Sequence, residues 1–348
     1  MENISTNVLV TGAGAPGAPG IIKALREKGI YTIFSCDVVD ETAGKHLSDG
    51  YFTVPRGDNE NYIEELLNNC INHKINIVFP ITTKELIPLS KHKDVFRNKG
   101  IEIIVSDYTS LNIANNKGLL YKHLASNGIP TPEFYITNTF DQFKEACQNL
   151  RDKHQAIIFK PTEGNGSRGF RVLDDNTDEF DLLFNHKPSS TYISYTKALE
   201  LLSEKDFPEL VVSEYLPGKE YTVDCLLTDG NINAIIPRLR TKMNNGISVA
   251  GTIEQNSDVI EYCEAILNSL KLNGPIGIQV RYSTENKPLL VEINPRIQGT
   301  TVACIGAGIN IASLAVQQII SPSNSFTVAD QKIKWGTRFI RHYSEVFF

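Results

Sequence analysis

No Cys-x-x-Cys pair occurs in this 348-residue chain, and its six cysteines (Cys36, Cys70, Cys147, Cys225, Cys263 and Cys304) lie far apart. That excludes a zinc ribbon or a disulfide scaffold, and points to reduced thiols in a cytoplasmic protein. Dense Lys/Arg runs are missing too, and 40 acidic against 34 basic residues leave a formal charge of −6. No nucleic-acid surface is expected. Nor does any uninterrupted apolar run approach the roughly 18 residues of a membrane span. The start, "MENISTNVLV", lacks the basic-then-apolar order of a secretory leader, so no membrane partner is expected. Without low-complexity tracts, long linkers or internal repeats, the chain reads as a small-molecule protein long enough for two or three subdomains.

What is present begins with "NVLVTGAGAPGAPGIIKAL", residues 7 to 25. Gly12, Gly14 and Gly17 follow an apolar strand with G-x-G-x-x-G spacing, and Asp37 lies 20 residues beyond Gly17. Alone, that is a dinucleotide fingerprint, and an NAD-dependent oxidoreductase is one reading. Pro16 and Pro19 weaken it by crowding the start of the helix that a pyrophosphate would need. The alternative is a tight turn and helix N-terminus that favour a substrate carboxylate, with Asp37 a strand-end residue making a structural hydrogen bond.

Strand-like and helix-like segments alternate through the first hundred or so residues, the rhythm of parallel βαβ units. A helix over "LNIANNKGLLYKHLASNG" stops at Gly128. The pattern then changes. "QAIIFKP" and "RGFRVL" flank the glycine-bearing loop "TEGNGS", and "PIGIQVRYS" and "PLLVEINPR" flank "TENK". Such pairs predict antiparallel hairpins, so an α/β domain is fused to an α+β domain.

Charged or amide side chains that interrupt apolar strands are costly unless something pairs with them. Lys160 ends "AIIFK", Glu214 follows "LVV", Gln279 sits in "IGIQV", and Glu292 and Asn294 alternate with Val291 and Ile293, with Arg296 just beyond. Strand alternation places Glu292 and Asn294 on one face. Carboxylate and amide oxygens make a hard ligand set of the kind that holds Mg²⁺ when phosphates complete the octahedron. The loop after Lys160 would lay backbone N–H groups over phosphate, with Ser167 and Arg168 as added donors. Each feature has a bland alternative: Glu292 paired structurally with Arg296, or "TEGNGSRG" as a plain hairpin loop.

Together, "FKPTEGNGSRGF", "VSEYLPGKEYTVD", "IGIQVRY" and "VEINPRIQGT" occur in the order of the ATP-grasp superfamily, which the chain resembles from about residue 110 onward. The nearest likeness is to one module of the carbamoyl-phosphate synthase large subunit and to stand-alone carboxylate-amine ligases. This resemblance implies an N-terminal parallel-sheet pre-ATP-grasp domain (1–112), a small subdomain with a glycine-rich lid (113–210) and a C-terminal subdomain with the metal site (211–348). It further implies that Lys160 contacts the ATP α-phosphate and adenine edge, while Gly164, Gly166, Ser167 and Gly169 close over the other phosphates. Lys117 matches a phosphate-reaching base. Glu214, Tyr215 and Leu216 match the adenine-recognising segment, and Glu220 the ribose ligand. Gln279, Glu292 and Asn294 match Mg²⁺ ligands, with Mn²⁺ as an alternative ion. Arg296, with Lys160 and Arg240, matches the catalytic set, and Arg296 would stabilise the transferring phosphoryl group.

The implied activity is carboxylate-amine ligation through an acyl phosphate, releasing ADP and phosphate. Small-molecule carboxylate and amine substrates and, by analogy, a homodimer follow. Phosphoryl transfer to a small carboxylate or carbamate, without amide formation, is the alternative. Two departures from the synthase argue for a stand-alone ligase: there is one module with no glutaminase signature, and Lys stands at 160 where the synthase has Arg.

Other features have two readings each. Arg238 and Arg240 beside "NNG" are either a substrate loop or an exposed basic strand end. Thr83 and Glu85 in "PITTKEL" are either ligand contacts at a strand's C-terminal end or neighbours of a helix capped by Thr82 or Thr83. The seven histidines fall outside the motifs and read as surface or core, and "KWGTRFIRHYSEVFF" reads as a closing strand with most of its aromatics in the core.

Overall fold

A computed structural model describes residues 6–164, 168–185, 191–244, 246–322 and 333–348. Its first sheet comprises β1 (Thr6–Thr11), β2 (Tyr31–Asp37), β3 (Gly50–Thr53), β4 (Ile77–Phe79) and β5 (Glu102–Ile103), in the order β3-β2-β1-β4-β5. Every neighbouring pair is parallel, as the βαβ rhythm predicts. Val8, Leu9 and Val10 of β1 are fully buried because helices cover both faces of such a sheet. Gly12 turns the chain at φ +63°, and helix Ala18–Arg26 starts with proline in its first turn, a position that needs no N–H donor.

The second sheet contains β6 (Phe134–Thr137), β7 (Ile157–Pro161), β8 (Arg171–Leu173), β9 (Tyr192–Ile193) and β10 (Leu210–Glu214), in the order β6-β10-β7-β8-β9. β7 and β8 are antiparallel, as expected for a hairpin around "TEGNGS". The third sheet has β11 (Glu220–Thr228), β12 (Asn231–Asn244), β13 (Ile247–Ile253), β14 (Gly274–Tyr282), β15 (Pro288–Asn294) and β16 (Arg338–Ile340), ordered β15-β14-β11-β12-β13-β16. Asp229 and Gly230 turn β11 into β12 with φ of 50° and 80°, the left-handed pair that a two-residue hairpin requires.

The chain forms two compact units. One gathers Met1–Ala114, Glu220–Val280 and Glu292–Phe348; the other gathers Asn115–Lys219 and Arg281–Val291. In the first unit a continuous apolar core joins Ile21, Ile22 and Leu25 to Ile236 and Ile253 and to Ile311, Leu314 and Val316. In the second, Phe143, Ala146, Cys147 and Leu150 of helix Phe140–Arg151 pack on Ile157, Phe159 and Val212. Among the described residues no single helix is long and apolar enough to cross a membrane.

Three expectations need correction. The helix after Asp107 is two helices, Tyr108–Asn115 and Lys117–Ser126, because the Asn116 side chain accepts from Leu119 N–H and caps a new start. Helix Leu86–Lys91 has no capping threonine: its N-cap is Glu85, and Thr82 donates to that carboxylate instead. Finally, the C-terminal segment contributes only the three residues of β16. Ile340, Tyr343, Phe347 and Phe348 are exposed: strand pairing ends at Ile340, and Phe348 stacks on His46 at the surface and not in a core.

Candidate active site

The first unit carries Gln279, Glu292 and Asn294. Strand alternation puts Glu292 and Asn294 on the same face of β15, and Asn294 Nδ2 donates to Glu292 Oε1 at 3.1 Å. Two residues on, Arg296 Nη2 donates to Asn294 Oδ1 at 3.2 Å, Nη1 to the Ile297 carbonyl at 2.9 Å, and Nε to Thr83 Oγ1 at 3.2 Å. Burial draws the guanidinium pKa below its usual value, and the negative charges of Glu292 and Glu85 oppose that shift. An arginine remains a cation under both influences. Gln279 lies on β14, half-buried. Gln298 packs flat on the neighbouring Gly277, where a β-carbon would lie 1.6 Å from Gln298 Nε2.

This set is hard and oxygen-rich but carries a single carboxylate, and among the described residues no group of three or more His, Cys, Asp or Glu is placed to hold a metal. Such a donor set suits Mg²⁺ arriving with phosphate oxygens better than a metal held by protein alone.

Deeper in the same unit, Arg238 is not an exposed strand end. It is fully buried on β12, with Nε donating to Asp224 Oδ2 at 3.1 Å and its guanidinium over the Phe339 ring. Thr301 Oγ1 donates to Asp224 Oδ1 at 2.6 Å. Arg240 donates to Glu220 through Nη1, to Ser248 Oγ at 3.0 Å through Nε, and to the Gly246 carbonyl. Glu220 and Arg240, assigned separate roles from the sequence, are thus an ion pair.

The second unit carries the lysines Lys117 and Lys160. Lys160 is buried on β7, and its Nζ donates to the Val291 carbonyl at 2.7 Å and to the Tyr121 hydroxyl at 3.3 Å. Tyr121 in turn donates to the Leu290 carbonyl at 2.9 Å. Lys117 sits at the first turn of its helix and donates from Nζ to the Gly164 carbonyl at 2.9 Å. Gly164 and Gly169 both have positive φ, 139° and 76°, as a tight glycine loop demands. Gly166 and Ser167 lie outside the described residues. Glu214 ends β10 and its Oε1 accepts from Glu133 N–H at 2.9 Å. Tyr215 follows, its hydroxyl accepting from Arg281 Nη2 at 3.1 Å, and Leu216 is buried.

Two neighbours of these residues went unnoticed in the sequence. Tyr121 lies four positions after Lys117 on one helix, a spacing that puts both on one side, so its signal was present though faint. His154 had no signal. Its Nε2 is 3.0 Å from Glu133 Oε2 and its Nδ1 3.9 Å from Glu214 Oε2, across 60 residues of chain.

The N-terminal glycine turn is not the open anion nest that its spacing suggests. Gly14 N–H donates to Asp37 Oδ2 at 2.7 Å, Ala13 N–H to the Cys36 carbonyl of β2, and Ala15 and Ala18 N–H to the Gly12 and Ala15 carbonyls of the turn itself. Asp37 makes the structural hydrogen bond expected of it. Gly17 abuts Gly299 so closely that a β-carbon would lie 2.3 Å from the Gly299 Cα, which ties the turn to the "PRIQGT" segment.

Comparison with known proteins adds to this geometry. Residues 206–338 match the family described as ATP-grasp in the biosynthetic pathway with Ter operon, and residues 8–104 match the PylC-like N-terminal domain. The chain is 24% identical over 198 residues to a protein of Methanocaldococcus jannaschii, a match covering 55% of this chain and 42% of that one. It is 24% identical over 237 residues to a D-alanine–D-alanine ligase of Gloeobacter violaceus, covering 63% of this chain and 72% of the relative. Among solved structures, an L-amino acid ligase from Bacillus licheniformis superposes with a TM-score of 0.66 at 15% identity, over 93% of this chain and 76% of that one.

Proposed function

From an ATP-grasp domain set behind a PylC-like N-terminal domain, we propose that the protein is an ATP- and Mg²⁺-dependent ligase that joins a small carboxylate to an amine. The observation that carries this reading is the hydrogen-bonded row Glu292–Asn294–Arg296 at the end of β15, inside the segment that matches the ATP-grasp family. Phosphoryl transfer asks for positioning and charge neutralisation, not for a nucleophile on the enzyme. Metal ligands, lysines, an arginine and a glycine loop are therefore a sufficient set.

In this reading Gln279, Glu292 and Asn294 would hold Mg²⁺ brought in on the nucleotide, and the metal would neutralise phosphate charge. Lys160, fixed by Tyr121 and the Val291 carbonyl, binds phosphate near the adenine edge, and Lys117 steadies the Gly164 loop. Glu214, Tyr215 and Leu216 recognise adenine. Glu220 holds ribose and at the same time orients Arg240 toward the reacting groups. A carboxylate oxygen of the substrate attacks the γ-phosphorus and the bond to the β,γ-bridging oxygen breaks, giving an acyl phosphate and ADP. The amine then attacks the acyl carbon, and phosphate leaves as the amide forms. Arg296 offsets the charge that develops on the transferring group. Keeping water from the acyl phosphate protects it until the amine attacks.

Phosphorus NMR of ATP, Mg²⁺, the protein and a pool of amino acids and small carboxylates tests this, with Glu292→Ala as control. ADP and phosphate formed only with wild type and only with the pool support ligation. Accumulation of a phosphorylated product with no amide would replace it by simple phosphoryl transfer. AMP and pyrophosphate would overturn the mechanism.

A further inference from the structure

The guanidinium of Arg296 is held at three points, and the third comes from the N-terminal parallel sheet. Nη2 and Nη1 are tied to groups within two residues of Arg296 itself, whereas Nε reaches across 213 residues of chain to Thr83 Oγ1. Of the five N–H bonds of an arginine, this leaves one on each terminal nitrogen to point at a ligand.

Thr83 is presented by an unusually fixed turn. Next to it, Glu85 is buried and accepts four hydrogen bonds: from Thr11 Oγ1 at 2.7 Å, Tyr62 Oη at 2.7 Å, Thr82 N–H at 2.7 Å and Thr82 Oγ1 at 2.8 Å. Gly57 lies against it, where a β-carbon would come within 2.7 Å of the Glu85 Cα. The turn also closes on Gly12, whose missing β-carbon would lie 2.3 Å from Thr82 Cγ2. The end of β1, the helix after β3 and the loop after β4 therefore converge on one carboxylate, beside the residue that holds Arg296. Neither threonine caps the following helix, so capping does not explain the Thr83 hydroxyl.

We propose that Thr83 is a positioning residue: its hydroxyl fixes the rotation of the Arg296 guanidinium about its long side chain, so that the two remaining N–H bonds meet the γ-phosphoryl group. This rests on the ATP-dependent reading above. It gives the N-terminal domain a part in phosphoryl transfer through Arg296.

Thr83→Val removes the hydroxyl at nearly constant volume, and Thr83→Ser keeps it. Each purified variant is titrated with Mg²⁺-ADP and with a non-hydrolysable Mg²⁺-ATP analogue, and turnover is measured with the substrate pool. In Thr83→Val the analogue should bind about tenfold more weakly and kcat should fall by about the same factor or more, with ADP affinity and Tm unchanged. Thr83→Ser should restore both. If Thr83→Val keeps the wild-type ratio of analogue to ADP affinity and the wild-type kcat, or if ADP affinity falls equally, the positioning role is overturned while the ligase reading stands. Wild-type protein that binds neither nucleotide would overturn both.

Discussion

Asp224 and Arg238 form an ion pair sealed from solvent, with 1% and 0% of their side-chain surface exposed and 3.1 Å between Oδ2 and Nε. Two charges in such a place stand only because each has the other, with Thr301 completing the carboxylate's hydrogen bonds. Asp224→Ala would strand the guanidinium and should lower stability by ~3–5 kcal/mol, read from denaturant unfolding monitored by circular dichroism. A loss below ~1 kcal/mol would mean that the pair is not closed to water.

Glu292→Ala should reduce turnover by at least ~100-fold and leave the fold intact, since its carboxylate is only half-buried and its partner Asn294 keeps a second bond to Arg296. Turnover of ATP by the variant at the wild-type rate would remove Glu292 from the metal set.

Lys160→Ala should weaken Mg²⁺-ATP binding, measured by calorimetry, by at least ~10-fold. Tyr121→Phe should act in the same direction but more mildly, because the Val291 carbonyl still holds the ammonium when the tyrosine hydroxyl is gone. Equal nucleotide affinity in wild type and Lys160→Ala would contradict the assignment.

The six thiols are all buried, and burial pushes the pKa values of Cys70 and Cys147 up to about 12 and those of Cys36, Cys225 and Cys304 upward as well. A disulfide reagent at pH 8 should therefore label none of them in the folded protein and all six in guanidinium. Rapid labelling of any one without denaturant would expose a local opening of the fold around it.

The strands and their partners were readable wherever a local rule sufficed: alternation along β15, the Asp229–Gly230 turn, the parallel rhythm before residue 105. Strand alternation also placed Glu292 and Asn294 on one face of β15, where the Asn294 amide donates to Glu292 and Arg296 donates to Asn294. What stayed hidden is chemistry between residues far apart in sequence. Nothing in "PITTKEL" says that Thr83 accepts from Arg296, and nothing near His154 points to Glu214. Gly14 and Asp37 obeyed the dinucleotide spacing for a different reason, the one donating directly to the other. The aromatic C-terminus was misread because composition alone does not tell a core strand from an exposed tail.

Core residues Ile22 of the first helix and Ile311 of the last lie 289 positions apart, and both belong to the apolar cluster of the first unit. On a ribosome extending the chain by ~5–20 residues each second, the later residue is added roughly 15–60 s after the earlier one. The second unit, Asn115–Lys219 with Arg281–Val291, has all of its chain before that moment. Through that interval the nascent first helix shows water a hydrophobic face whose final cover has not yet been synthesised.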